Sequence, residues 1–438
     1  MTLAQFRKRE LQAKLTSLDQ DLTDWVGKTS KPPLSRHRSQ MLRAEAKIRG
    51  LLSIFEGNQQ WTDAKEDTIL AKAASWEKLV LTAHSVWDAF RGKLALRLEP
   101  RFAETLAACD DLVWECYEPA LQRFLPGHKK EPPLVYLNST WSPFLRKRET
   151  PFAQEIVEGL DAEKEKDPEL VKTLEQLPVP LLGLPWFQVN HLPSALLIAH
   201  EVGHAVESDF GLRDAIRDAL DAALSDPYEW KLCASEVFAD LYGCLCMGKY
   251  LAAAVLDIMV ASKDAVAQDT AFGRYPPRAT RAGLLVEALT QLGQVAAAGE
   301  IRARWESVYG AIDSSPDVRS VVKAIYDGLG LKTLMGLPGD VQDLADNAGD
   351  GANIANETNA RRLFCAAREV YERGFENQMK KAAPLLVRQI VNGQKAQFRY
   401  RGAPVKDEAA LKNKLQNDLK EDFNLGVAWR KQLGLDLD

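Results

Sequence analysis

The segment from residue 195 to residue 204, ALLIAHEVGH, predicts the helix around which the rest of the chain is expected to pack and which carries the candidate functional residues. Five apolar residues lead into the pentapeptide HEVGH, which is the composition of a buried helix. Because residues four apart lie on one face of a helix, the imidazoles of His200 and His204 can reach the same ion. Gly203, between them, is small enough to let a second element approach closely.

Glu201 stands beside the first of these histidines, on the adjoining flank of the helix. There its carboxylate can contact a water held by the ion without itself binding the ion, as a general base does. Only six histidines occur in the chain, and two of them fall in this pentapeptide. A chance match is on the order of one in a hundred. The alternative is a core helix with two hydrogen-bonded histidines.

A third ligand is expected from Trp230–Gly243, whose sequence is WKLCASEVFADLYG. No histidine follows His204, so a downstream ligand must be Asp, Glu or Cys. Glu236 and Asp240 stand one turn apart on an otherwise apolar helix. Buried carboxylates cost several kcal/mol there unless they are paired or bound to a metal, so a metal ion and its His ligand would compensate both.

Two alternatives to this ligand set stay open. Cys233 or Asp209 could replace Glu236 as the third ligand, although Asp209 lies only five residues beyond His204. The helix could also carry one solvent-exposed stripe, on which Glu229, Glu236 and Asp240 all face water.

The two segments together resemble the gluzincin zinc metallopeptidases, the broad clan that includes thermolysin. The resemblance implies one Zn²⁺ ion bound by His200, His204 and Glu236, and hydrolysis of peptide bonds with Glu201 as the general base. It also implies that Asp240 accepts a hydrogen bond from the far nitrogen of the first histidine.

This resemblance covers about Ser194 to Gly248, one eighth of the chain. Thirty-one residues lie between His204 and Glu236, which is more than in thermolysin-like members. The excess is long enough to hold a further helix, for which Leu212–Leu224 has the spacing.

The segment Phe272–Arg281, FGRYPPRATR, is a candidate for a further catalytic contact. Its Tyr-Pro-Pro turn makes a rigid loop, with Arg274 and Arg278 close by. We expect Tyr275 or Arg281 to contact the transition state or a substrate carboxylate. The alternative is a turn with surface arginines.

Two features upstream of the motif could belong to the same cleft. Pro178–Val189 has the composition of an edge strand or a loop, and the resemblance suggests that it binds extended peptide by backbone pairing. His191 could line the cleft, or it could be an ordinary loop histidine.

The whole chain is expected to be mainly α with a small β element, a zincin-like core of helices beside a short sheet. We predict a helical bundle or arm over residues 1–125, a zincin-like catalytic domain over 126–300, and a C-terminal helical region that completes or covers the cleft over 301–438. Further predictions are a strand in Pro132–Ser142, helices over Gln154–Gln176 and Asp226–Lys249, and a long loop over Gly336–Asn356. The tail, Ala409–Leu437, is charged and amphipathic.

Composition narrows the class of protein. The net charge of −5 and pI of about 5.9 do not favour nucleic-acid binding, and the most basic stretch, Lys31–Arg49, suits a solvated helix face. The six cysteines form no C-x-x-C pair, which suits a reducing compartment. Met1–Arg9 lacks the apolar core of a secretory signal, and no apolar run is as long as a membrane span. We therefore expect a cytoplasmic protein, and the resemblance to gluzincins implies that it acts on peptides or proteins.

One competing hypothesis assigns the chain to a class of protein other than enzymes. The chain could be a helical interaction or regulatory protein whose arms bind a protein partner and whose zinc site is structural or degenerate. Glu201 argues against it, because a structural site needs no base.

Overall fold

The computed structural model describes residues 1–56, 64–126, 130–150, 179–352, 354, 357–374 and 376–397. These residues form many helices and one small sheet, which confirms the expected mainly α class with a small β element. They divide into two compact units, one containing Met1–Pro100 and the other containing Arg101–Lys147 and the described residues from Pro180 onward. The division at residues 125 and 300 stays a prediction.

The first unit contains a three-helix bundle. Its helices are α1 (Leu3–Lys28), α2 (Arg38–Glu56) and α3 (Glu66–Ala95). The buried face of α1 repeats at helical spacing, with Leu11, Leu15, Leu18, Leu22 and Trp25. Polar contacts show that α1 and α3 run in the same direction. Arg7, near the start of α1, contacts Glu77, and Asp21, further along α1, contacts Trp87, which is further along α3.

The second unit contains the remaining helices. They are α4 (Pro100–Phe124), α5 (Ile198–Asp209), α6 (Arg213–Ala223), α7 (Tyr228–Leu232), α8 (Ala234–Met247), α9 (Lys249–Ile258), α10 (Lys263–Ala267), α11 (Arg278–Gln291), α12 (Val295–Tyr309), α13 (Pro316–Gly328), α14 (Gln342–Asp350), α15 (Ala360–Glu372) and α16 (Glu376–Gln397). Short 3₁₀ turns precede α5 at Trp186–Asn190 and Leu192–Leu197.

The sheet has three strands, β1 (Leu134–Asn138), β2 (Phe144–Arg146) and β3 (Leu181–Pro185), in the order β1-β3-β2. β3 pairs parallel with β1 and antiparallel with β2. The expectation that Pro178–Val189 supplies an edge strand is therefore wrong, because β3 is the central strand. All five of its residues are buried, and both of its sides already carry a strand, so it cannot pair with a peptide.

Helices α5 and α8 pack with their backbones unusually close. A Cβ atom added at Gly203 would lie 2.8 Å from Cα of Ala239, closer than side-chain atoms normally come to a backbone. One at Gly243 would lie 3.3 Å from the backbone nitrogen of His200. The two glycines therefore let one helix lie directly against the other, as the sequence predicted for Gly203.

Two local predictions need correction. The single helix expected over Asp226–Lys249 is two, α7 and α8, because the backbone of Cys233 leaves helical geometry at φ −108° and ψ 9°. The loop expected over Gly336–Asn356 contains α14, which buries Leu344, Ala345 and Ala348 and ends at Gly351 with φ 73°. The helix predicted over 154–176 and the amphipathic tail over 409–437 lie outside the described residues.

Two further findings concern the class of protein. Among the helices of the described ranges, none combines the length and apolar character that a membrane crossing requires. The six cysteines are free thiols and all are buried.

Candidate metal centre

The two histidines of the motif lie one turn apart on α5, and their rings face the same side. The ring centroids of His200 and His204 are 4.9 Å apart, and the ring planes are perpendicular. Both side chains are buried. This is the arrangement that i, i+4 spacing predicts on a helix.

Glu236, on the first turn of α8, completes the cluster. Its Oε2 lies 3.2 Å from Nε2 of His200 and 3.3 Å from Nε2 of His204. One ligand atom from each of the three residues lies within 4.8 Å of the others, so the group could hold a metal ion. The close contact between α5 and α8 produces this meeting of residues that are 32 or more positions apart in the chain.

The donor set fits a cation. Oε2 of Glu236 is buried and has no hydrogen-bond partner among the described residues. Each histidine uses Nδ1 elsewhere, so in the neutral rings the lone pairs of Nε2 point towards this oxygen. Three converging lone pairs in a buried site repel one another unless a cation lies between them.

Protons compete with a metal ion for the ligand atoms of this cluster. Burial by itself lowers the pKa of His200, but the nearby carboxylates of Asp240 and Glu236 outweigh burial and raise that pKa to about 9. Burial raises the pKa of Glu236, yet the two histidines hold it well below its usual range. A metal ion bound here must therefore displace protons from the ligands.

Asp240, one turn after Glu236, holds the ring of His200. Its Oδ1 lies 2.8 Å from Nδ1 of that histidine. Arg281 on α11 donates to both oxygens of the same carboxylate, from Nε at 2.6 Å and from a terminal nitrogen at 2.9 Å. Burial raises the pKa of Asp240, but the charge of Arg281 outweighs it and lowers the pKa to about 2. The carboxylate is thus an acceptor, and Nδ1 of the ring is the donor.

These contacts change the interpretation of Arg281. The side chain is buried, and its guanidinium binds Asp240. Arg281 therefore acts on the cluster through that carboxylate. The expected direct contact with a transition state or a substrate is not supported by its position.

A second chain of contacts, which sequence reasoning missed, holds His204. Its Nδ1 lies 3.2 Å from the hydroxyl of Ser235, which donates to Glu207. Lys147, just after β2, donates to the same glutamate at 3.2 Å. Burial raises the pKa of Glu207, but its hydrogen bonds and the lysine charge lower it to about 2. Spacing offered one signal, since Glu207 lies three residues after His204 on the same helical face.

Glu201 lies next to the ligands with its carboxylate unused. It is 9 % exposed, and its negative charge helps to raise the pKa of both His200 and His204. Within the described ranges the Glu201 carboxylate has neither a hydrogen bond nor an ion pair. A nearly buried carboxylate without a partner, beside a candidate metal site, has the position of a general base.

The loop before α11 places Arg274 and Tyr275 at the same cluster. Nε of Arg274 donates to Oε1 of Glu236 at 2.8 Å. Tyr275 is 42 % exposed, and its ring packs against two guanidinium groups, with that of Arg274 at 5.5 Å and that of Arg281 at 4.7 Å from its centroid. Tyr275 therefore has the exposure that a substrate contact needs, and Arg274 enters the candidate site beside it.

The two alternative ligands turn elsewhere. The Cys233 thiol donates to backbone carbonyls of α7, and burial raises its pKa to about 12, so it stays protonated. Asp209 accepts a hydrogen bond from Tyr117 at 2.7 Å and lies near Lys130. Neither belongs to the cluster of ligand atoms.

His191 lies in a different cavity, of about 820 Å³, whose lining includes none of the cluster residues. Its ring packs edge-on against Tyr371 at 4.9 Å, and its Nδ1 accepts the backbone N–H of Ser194 at 3.3 Å. The histidine thus caps the turn that leads into α5, which is the ordinary structural role.

Comparison with protein-family models, with curated proteins and with solved structures found no match for this chain.

Proposed function

We propose that this protein is a zinc-dependent peptidase, with His200, His204 and Glu236 as metal ligands and Glu201 as the general base. One observation carries the proposal: an unpaired, nearly buried carboxylate lies beside a buried cluster of two imidazoles and one carboxylate. The cluster alone would suit a structural site. The unpaired base is what a hydrolytic site adds.

Zinc is the metal that this donor set favours. Two imidazole nitrogens and one carboxylate oxygen form the His₂Glu set of catalytic zinc sites, which leaves a position for water or substrate. When bound, zinc would lower the pKa of a water ligand and polarise a carbonyl group. The sequence resemblance to gluzincins points to the same metal and to a peptide bond as the target.

Glu201 has the role of moving the proton. Its carboxylate takes a proton from the attacking water as the water adds to the carbonyl carbon, and then gives that proton to the leaving amine. The absence of a partner in the described part of the chain supports this role, because both carboxylate oxygens are left available to contact a water.

Tyr275 is the group that we propose for the developing negative charge on the carbonyl oxygen. Burial raises the pKa of its phenol, so the hydroxyl keeps its proton and can donate a hydrogen bond. The neighbouring guanidinium groups of Arg274 and Arg281 fix the ring without using the hydroxyl. Asp240 and Ser235 hold the two histidine rings in place during the reaction.

Glutamine in place of Glu201 tests the proposal. Glu201→Gln keeps the size of the side chain but removes the base, so we expect it to hold metal normally and to cleave an unfolded, fluorescently labelled protein at least ~100-fold more slowly than the parent. Glu229→Gln, at an exposed position on α7, is the matched control and should cleave like the parent. Equal cleavage by Glu201→Gln would refute the proposed mechanism. No cleavage by a metal-loaded parent would favour the structural-site hypothesis.

A further inference from the structure

Arg274 combines exposure with a direct contact to a candidate metal ligand. Its side chain is 78 % exposed, while the Glu236 side chain that it touches is 4 % exposed. Only Nε makes this contact, with Oε1 at 2.8 Å. One carboxylate thus separates an exposed guanidinium from the cluster that could hold the metal.

The guanidinium is also fixed in position. It packs over the ring of Tyr275, and the loop that carries both residues is closed by a hydrogen bond of 3.1 Å from the backbone nitrogen of Gly273 to the carbonyl of Tyr275. Two prolines, Pro276 and Pro277, then stiffen the chain before α11. Little side-chain entropy therefore remains to be lost when this arginine binds a partner.

The two terminal nitrogens of Arg274 have no partner among the described residues, since its contacts are those with Glu236 and Tyr275. A planar fork of two N–H groups matches the two oxygens of a carboxylate. The contact through Nε leaves this edge of the guanidinium available.

When the charges around the cluster are paired with one another, the positive charge of Arg274 is left over. Asp240 is matched by Arg281. In the same way Glu207 is matched by Lys147. A divalent cation would be balanced by the carboxylates of Glu236 and Glu201. The charge of Arg274 then remains uncompensated and faces solvent, which favours an anionic ligand.

We propose that Arg274 binds a carboxylate on the residue that follows the scissile bond, so that the substrates are peptides cleaved next to a negative charge. This inference rests on the proposed peptidase function. The α-carboxylate of a C-terminal residue suits the site, because only three bonds, of about 1.33, 1.46 and 1.52 Å, join its carbon to the scissile carbonyl carbon. The enzyme would then release single C-terminal residues. An aspartate side chain is the other source of the same group.

Binding to a non-hydrolysing variant tests the inference. The protein is zinc-loaded Glu201→Gln, and the probes are pools of labelled hexapeptides that differ only at the C-terminus. One pool ends in a free acid and a second in an amide. Two further amide pools end in aspartate or asparagine. Fluorescence anisotropy measures each affinity, and metal content is measured for every variant.

We expect the acid pool to bind about tenfold more tightly than the amide pool, as for a hydrogen bond to a charged group. Adding Arg274→Ala should reduce that ratio to less than about twofold. Arg274→Lys, which keeps the charge but loses the fork, should keep part of it. Arg278→Ala, which removes a charge from the first residue of α11, just after this loop, should leave the ratio unchanged.

Equal binding of all pools, or an acid preference that survives Arg274→Ala, would overturn the inference. Preference for the aspartate pool over the acid pool would overturn the C-terminal source and assign the side-chain source. Cleavage by the parent separates the two proposals. An Arg274-dependent preference without any cleavage would leave carboxylate recognition standing and refute the peptidase. Cleavage of the acid and amide pools at equal rates would refute carboxylate recognition and leave the peptidase function standing.

Discussion

The carboxylate of Asp240 fixes the ring of His200: Oδ1 lies 2.8 Å from Nδ1, and the opposite ring nitrogen, Nε2, therefore points at Glu236. Arg281 holds that carboxylate in turn. Asp240 on α8 and Arg281 on α11 thus determine the direction of one imidazole lone pair on α5. This relationship, and the parallel one at His204, makes the site sensitive to residues that touch no ion.

Replacing Asp240 is expected to weaken metal binding. Asp240→Asn keeps the volume and one acceptor oxygen but weakens the hold on the ring, so zinc affinity should fall about 10-fold to 100-fold. The variant should also lose stability, because Arg281 is left buried without its counter-charge. Chelator competition measures the affinity, and Asp269→Asn, on the loop before α11, is the control. Parent-like affinity in Asp240→Asn would contradict the assigned role.

Ser235 is expected to matter for the metal and not for the fold. Ser235→Ala removes the acceptor of the His204 Nδ1 hydrogen bond and one donor to Glu207. Zinc affinity should fall about tenfold or more, whereas the melting temperature of the metal-free protein should change little. Ser307→Ala, an exposed serine on α12, is the matched control. An unchanged affinity for zinc would show that this chain of contacts is incidental.

Gly203 should tolerate no side chain. In Gly203→Val the new Cβ would lie 2.8 Å from Cα of Ala239, so α5 and α8 must separate. We expect a loss of about 1–3 kcal/mol in the free energy of unfolding, and weaker zinc binding because Glu236 moves away from the histidines. Gly299→Ala on α12 meets nothing within 4 Å and should be neutral or stabilising. Denaturant titration compares the two, and a stable, zinc-binding Gly203→Val would refute the close packing.

Glu372 gives a dependence of stability on pH. Burial raises its pKa, but Arg368 and Arg304 outweigh burial and hold the pKa below its usual range. A lowered carboxylate pKa stabilises the fold at pH values above about 4.3, the ordinary value for glutamate, and this stabilisation disappears as pH falls through the folded-state pKa.

Glu372→Gln should therefore unfold more easily than the parent at pH 7, and the difference should shrink on acidification. Glu300→Gln, whose side chain is 66 % exposed and 3.8 Å from Lys249, should show almost no difference at either pH. Urea titrations at pH 7 and pH 4 provide the comparison. A difference that grows towards low pH would mean that the sign is wrong.

The parts of this account that the sequence predicted depend on local periodicity. Helical spacing places His200 and His204 on one face, and the same rule places Glu236 and Asp240 on one face of α8. The mainly α class follows from many such segments. Because Gly203 has no side chain, the sequence predicted a close approach of another element, which the contact with Ala239 confirms.

The parts that the sequence could not give depend on contacts between distant segments. β3 has the apolar, proline-flanked composition of an edge strand, but its neighbours, β1 and β2, decide that it is central. The partner of Arg281 is a carboxylate 41 residues away, and only the packing of α11 on α8 makes them meet. Lys147 donates to Glu207, which lies 60 residues away in the sequence, and no local sequence pattern predicts this contact.

Metal content tests the central claim most directly. Parent protein and Glu201→Gln, each stripped with a chelator, reloaded with zinc and dialysed, should hold about one zinc per chain by mass spectrometry. His204→Ala and Glu236→Ala should hold almost none, while His84→Ala, in the first unit, should hold as much as the parent. Equal zinc in the parent, His204→Ala and Glu236→Ala would contradict a site built from these residues.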